Sequence, residues 1–229
     1  MLLDAKFAPW LFGGVAVAGV VLWIIASRQA KKRTQALEAV AAEIGFRFDG
    51  NDQSSAIQVR TALFNKGSGR KFRNIMNGVS SGLKASLFDY SYTISSDKSS
   101  STYRQTVAAF VQDLGLPLFE VRPEGLMDRV GEMFVHQDIN FDSHPRFSRR
   151  YALRGKEEGK IRELFTPALL SLLEGLPAEK KWHIEGSDLT LLLYMQGKTV
   201  KPEEVRPFLE ETSSLAQTFF ASCGAKHAK

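Results

Sequence analysis

Residues 83–112, LKASLFDYSYTISSDKSSSTYRQTVAAFVQ, decide the fold. Leu83, Ala85 and Leu87 occupy one face of an extended chain, and Phe88, Tyr90, Tyr92 and Ile94 occupy the other. Successive side chains of a strand point to opposite faces of its sheet, so the apolar set changes face near Phe88. A bulge, or a strand covered on both faces, produces that change. The polar run 95–101 is a hairpin tip, and 102–112 returns as the next strand. Outward from this pair, 72–79 precedes it across Ser80-Ser81-Gly82, and 116–121 follows it across Asp113-Leu114-Gly115. Each break carries residues that favour turns. Residues 72–121 therefore read as an antiparallel β-meander of four strands.

On the N-terminal side, residues 28–44 form a helix whose Leu37, Val40, Ala41 and Ile44 fall on one stripe, and Gly45 is placed to end it. Phe46-Arg47-Phe48 begins strand-like alternation, and Asp49-Gly50-Asn51-Asp52 is a turn cluster. On the C-terminal side the expected order is an amphipathic helix over 126–134, a strand over 147–153, a helix over 157–164 and a second helix entered by Thr166-Pro167 as cap and first residue. A hairpin of 182–184 and 189–194 around Glu185-Gly186-Ser187-Asp188 follows, with His183 facing solvent. A last helix starts near Pro202, with Leu209, Leu215, Phe219 and Phe220 as its core residues. The class is α+β, with a β-meander and a β-α-β-β-α second half. The expected divisions are an N-terminus with a transmembrane helix at 1–27, a juxtamembrane helix at 28–45, a β-rich half at 46–135 and the second half at 136–229.

The transmembrane expectation rests on residues 7–27, which carry no charge and reach the roughly 20 residues that span a bilayer. Trp10 and Trp23 lie near the two ends of the run, and Arg28, Lys31, Lys32 and Arg33 follow it, the pattern of a cytoplasmic flank. The expected address is the inner membrane of a bacterium, single-pass, with the N-terminus outside and the domain cytoplasmic. A cleaved leader would carry its positive charge before the apolar run, not after it. Gly14 and Ala18 form a small-xxx-small spacing that suits a homodimer through this helix.

The order of a basic-flanked apolar helix, Ala39-Val40-Ala41-Ala42-Glu43-Ile44-Gly45-Phe46-Arg47-Phe48, Leu87-Phe88-Asp89-Tyr90, Gln105-Thr106-Val107-Ala108-Ala109-Phe110, and Asn140-Phe141-Asp142-Ser143 through Leu164-Phe165-Thr166-Pro167 resembles an uncharacterised bacterial family of single-pass membrane-anchored proteins. The resemblance covers most of the chain. It implies a membrane-tethered domain and carries no catalytic residue with it.

Charge narrows the partners. Of 30 basic and 25 acidic residues, 25 and 24 lie at positions 34–229, so that part carries about +1 and nucleic acid is not an expected partner. Cys223, the one cysteine, has no partner for an intramolecular disulfide and no histidine or glycine-turn signature around it. The short motifs of nucleotide, zinc and nucleophile chemistry are missing, and Gly67-Ser68-Gly69-Arg70-Lys71 is not followed by the helix a phosphate loop needs. No cofactor and no metal is expected.

His136, Asp138, Asp142 and His144 gather imidazoles and carboxylates in one short stretch. Two readings stay open: a divalent-metal or acid–base site, and a capped turn in which Asp142 or Ser143 bonds nearby backbone N–H groups before Pro145. Arg149 and Arg150 stand close enough to bind an anion such as a lipid headgroup. The candidate binding residues are Asp138, Asp142, His144, Arg149 and Arg150. The function expected is a membrane-tethered, non-enzymatic binding or scaffold domain with a protein or lipid-headgroup ligand on the sheet face or on 138–150. The alternatives are a metal-dependent or hydrolytic enzyme using Asp138, Asp142 and His144, and a transport or signalling accessory subunit.

Overall fold

A strand with apolar residues on both faces needs two covers, and the arrangement of the chain supplies them. The computed structural model describes residues 8–57, 59–96, 99–125 and 138–224, with side chains from Ala18 onward. The strands are β1 (Arg47–Gly50), β2 (Ser68–Ser80), β3 (Leu83–Ser96), β4 (Ser99–Pro123), β5 (Tyr151–Gly155) and β6 (Trp182–Met195). The helices are α1 (Ala8–Glu43), α2 (Ala62–Asn65), α3 (Pro145–Arg150), α4 (Glu158–Leu164), α5 (Pro167–Gly175) and α6 (Val205–Gly224). All strand pairings are antiparallel, β1 to β4 follow one another as a meander, and β4 is the hub. One edge of β4 takes β3 and then β5, and the other edge takes β6. Strands from both halves of the sequence thus share one α+β sheet.

Leu83, Ala85 and Leu87 pack with Ala108 and Phe110 against α1 and α6, through Leu37, Ala41, Ala216 and Phe219. Phe88, Tyr90 and Tyr92 pack on the opposite face with Val107, Ala109, Leu192 and Tyr194, beneath Ala56, Leu63 and Phe64. β3 pairs with β4 without a break from Lys84↔Val111 to Ser96↔Ser99, so cover on both faces, not a bulge in β3, explains the change of parity. The irregularities lie in β2, between Ser68 and Lys71 and between Arg73 and Met76, where Asn74 has φ +52°.

Three details of the chain order differ from expectation. Asp113-Leu114-Gly115 does not reverse the chain; β4 runs through it, with a register shift against β6 between Val111 and Leu116 and Gly115 at φ +62°. Residues 145–150 are helical because Pro145 stands at the first helical position, and the strand begins only at Tyr151. The expected hairpin around 185–188 is one continuous strand. Gly186 serves a close approach instead of a turn: a Cβ there would lie 2.1 Å from the Phe119 ring. His183 is accordingly buried, with its ring stacked on Tyr194 at 5.0 Å, and not solvent-facing. The second half is therefore α-β-α-α-β-α in order.

The membrane-spanning expectation is corrected. No helix is long and apolar enough to cross a membrane among the described residues. α1 passes without a break from its apolar part into its charged part. Arg28 and Lys31 to Arg33 then follow within the same helix. Single-pass anchoring and the inner-membrane address built on it are not supported. Trp23 is 71% exposed, and Arg33, expected as a membrane-flank charge, is bound to the sheet through Asp89. The side chain of Trp10, the surroundings of Gly14, the helix expected over 126–134, and His136 lie outside the described residues.

Candidate functional site

Toward the tip of the β3–β4 hairpin, the sheet face beneath α1 changes from apolar to cationic. The register aligns Arg73 with Asp89 and Asp89 with Thr106; one step further it aligns Lys71 with Ser91 and Ser91 with Arg104. Alternation puts all six on the face that carries Leu87 and Ala108. α1 passes over this region, and Arg33 fixes it there. Its Nε and a terminal nitrogen donate to the two carboxylate oxygens of Asp89, each at 2.8 Å. The Asn74 amide donates to Asp89 at 2.8 Å and the Thr106 hydroxyl at 2.9 Å. Thr34 in turn donates to the Asn74 carbonyl oxygen at 2.8 Å, and Thr106 accepts from the backbone N–H of Val200 at 2.9 Å. The left-handed backbone of Asn74, tolerable for this residue type, belongs to the bulge from which its amide reaches Asp89.

Around this network lies an open groove of about 520 Å³, lined by Lys31, Arg33, Lys71, Arg73 and Arg104 together with Ser91, Thr93 and Thr102. Asp89 is its only acid among the described residues, and Arg33 already neutralises it. Lys31, Lys71, Arg73 and Arg104 are exposed and have no acidic partner among the described residues. Four unpaired cations beside small hydroxyl side chains form a surface whose charge suits an anion. Immediately toward the N-terminus, α1 exposes Val20, Val21, Leu22, Trp23, Ile24 and Ile25, a contiguous apolar patch of the kind that marks an interaction site.

A second charged cluster occupies the opposite face of the sheet and is buried. The Glu185 carboxylate accepts the Leu63 backbone N–H at 2.9 and 3.1 Å, capping the short α2 from across the sheet, and accepts the Tyr194 hydroxyl at 2.6 Å. Lys66 Nζ stands 3.5 Å from Glu120. Burial and the neighbouring Glu120 carboxylate push Glu185 up to about 7, against the opposing pull of Lys66, Leu63 and Tyr194. Burial and the same two carboxylates raise Tyr194 well above its ordinary value.

The residues singled out from sequence are dispersed. Asp138 and Asp142 line a separate open cleft of about 1200 Å³ with Asn140, Ser143, Glu158 and Arg162. Asp138 is paired with Arg154 at 2.5 Å, and Asp142-Ser143 form a turn closed by the His144 N–H donating to the Phe141 carbonyl at 3.0 Å. His144 lies beside the Ser143 and Ser171 hydroxyls, at 3.1 and 3.4 Å, outside that cleft. Arg150 donates to the Leu176 and Pro177 carbonyls and covers the Tyr151 ring, while Arg149 points to solvent. The carboxylates and the imidazole do not converge. No three His, Cys, Asp or Glu side chains are grouped to hold a metal ion among the described residues.

Sequence reasoning missed Lys71, Arg73, Ser91 and Arg104. The signal was available as alternation: 71 and 73, 89 and 91, and 102, 104 and 106 are all polar at the strand positions that continue an apolar face. Only the register shows that these runs are neighbours.

No family model and no curated protein matches the chain. Among solved structures the chain is similar to the crystal structure of the mycobacterial trehalose monomycolate transport factor A, TtfA, with a TM-score of 0.56 at 12% identity, covering 81% of this chain and 95% of that one. At that identity the likeness is one of fold.

Proposed function

We propose that this chain is a non-enzymatic binding domain for an anionic lipid, with the headgroup in the groove between α1 and the β2–β3–β4 face. The observation that carries the reading is adjacency: the four unpaired cations of the groove adjoin the exposed apolar stretch of α1. Ile25 precedes Ala30, the first groove residue of the helix, by five positions, about 7 to 8 Å along the axis. An anionic head and an apolar chain on one molecule match that pairing of surfaces. The likeness to a trehalose monomycolate transport factor supports a lipid-handling role without naming the ligand here. The chemistry lost with the dispersal of Asp138, Asp142 and His144 is what the enzyme alternative required.

Flotation of the full chain with vesicles tests the reading. Wild type should float with phosphatidylglycerol vesicles and not with phosphatidylcholine vesicles, and flotation should fall as salt is raised, because exposed charges are screened. Lys71→Glu with Arg104→Glu should abolish it. Equal flotation by the double variant, or equal binding to both vesicle types, removes the groove from the function.

A further inference from the structure

Resting on that reading of the groove, we infer that the headgroup it selects is a phosphomonoester, held over Ser91 by Lys71 and Arg104 from the flanking strands and by Lys31 from α1. The register makes Lys71 and Arg104 the cross-strand neighbours of Ser91 on either side. Two strand spacings separate their backbones, about 9 to 10 Å, a gap that two long cationic side chains close around one small anion. The Ser91 hydroxyl lies between them and has no hydrogen-bond partner among the described residues. Lys31 enters from the helix, so donors surround the space from both sides, from the floor and from above.

That distribution discriminates among anions. A carboxylate is planar and singly charged, and a phosphodiester brings one charge and two terminal oxygens. A phosphomonoester brings about −1.5 to −2 charges at neutral pH and three terminal oxygens that radiate from one phosphorus. Three or four cations arrayed around a hydroxyl fit the last best, and the fork of Arg104 can take two of its oxygens at once. Asp89 does not oppose the charge, because Arg33, Asn74 and Thr106 already occupy its oxygens. The lipid and a free phosphate ester share this chemistry, and the two sources separate by experiment.

The test is co-sedimentation of the full chain with phosphatidylcholine vesicles carrying either phosphatidic acid or phosphatidylglycerol at equal molar fraction, with glycerol 3-phosphate as soluble competitor. Phosphatidic acid should bind at least about tenfold tighter than phosphatidylglycerol, the scale of one charge-assisted hydrogen bond. Lys71→Gln or Arg104→Gln should each remove about that preference, Arg104→Lys should restore part of it, and Arg149→Gln, outside the groove, should change nothing. All three positions are exposed, and circular dichroism checks that each variant keeps its fold. Equal binding of the two lipids, lost alike in the Gln variants, overturns the phosphomonoester inference and leaves the groove reading standing. Binding of neither lipid above phosphatidylcholine overturns both. Glycerol 3-phosphate binding as tightly as the vesicles keeps the phosphomonoester and overturns the lipid as its source.

Discussion

The two charged clusters stand on opposite faces of one sheet and differ in what water does to them. Around Asp89 the ion pair is partly solvated, every acceptor has a donor, and four further cations are left over at the surface. Around Glu185 the groups are sealed in, with two carboxylates, one lysine and a tyrosine hydroxyl sharing a space without free charge to spare. Surplus charge in water is available to a ligand; charge inside the protein is committed to holding the chain that covers it. The first cluster is therefore the one proposed for ligand binding, and the second is assigned to stability and its dependence on pH.

Four changes test that contrast. Lys66→Ala should cost most, about 3 to 5 kcal/mol in urea unfolding, because it strands the buried Glu120 and Glu185 carboxylates together. Asp89→Ala should cost about 2 kcal/mol, since Arg33, Asn74 and Thr106 lose their shared acceptor at a partly exposed site. It should also speed hydrogen exchange in residues 33–44, where α1 is held. Third is pH. Glu185 has its folded value raised to about 7 from 4.5, so its contribution is fully present below 4.5 and is lost as pH rises through 7. Glu185→Gln mimics the protonated acid and should flatten the stability profile between pH 5 and 8, a gain on the order of 1 to 3 kcal/mol at the alkaline end. Smallest in stability is Lys71→Gln with Arg104→Gln, which should stay within about 0.5 kcal/mol of wild type in the same unfolding measurement while losing the anionic ligand. A large stability loss there would make the groove structural and erase the contrast.

Local patterns were legible wherever one residue's environment follows from its near neighbours. The two apolar faces of 83–94, the stripe of Leu37, Val40, Ala41 and Ile44, the Thr166 cap, and the buried Leu209, Leu215, Phe219 and Phe220 all have such signatures. What failed depended on long-range pairing. The turn-like residues at 113–115 and 185–188 become irregularities within strands because β4 and β6 hold each other extended on both sides of them. The same pairing buries His183, whose sequence neighbours gave no sign of it. The groove was hidden because the overall charge of 34–229 is a sum, and a sum of about +1 is compatible with a dense local surplus. The expected transmembrane helix rested on the uncharged composition of residues 7–27. No helix among the described residues is long and apolar enough to cross. For 138–150 the sequence drew attention to the right kinds of side chains, but pairing with Arg154 and the 141–144 turn hold them apart.

The most direct test is hydrogen–deuterium exchange of the full chain with and without anionic vesicles. Added protection is expected at 20–25, 30–34, 69–74, 89–93 and 102–106, with 61–66 on the opposite face unchanged. Protection centred instead on 138–143, or none in the groove segments while vesicles bind, would contradict it.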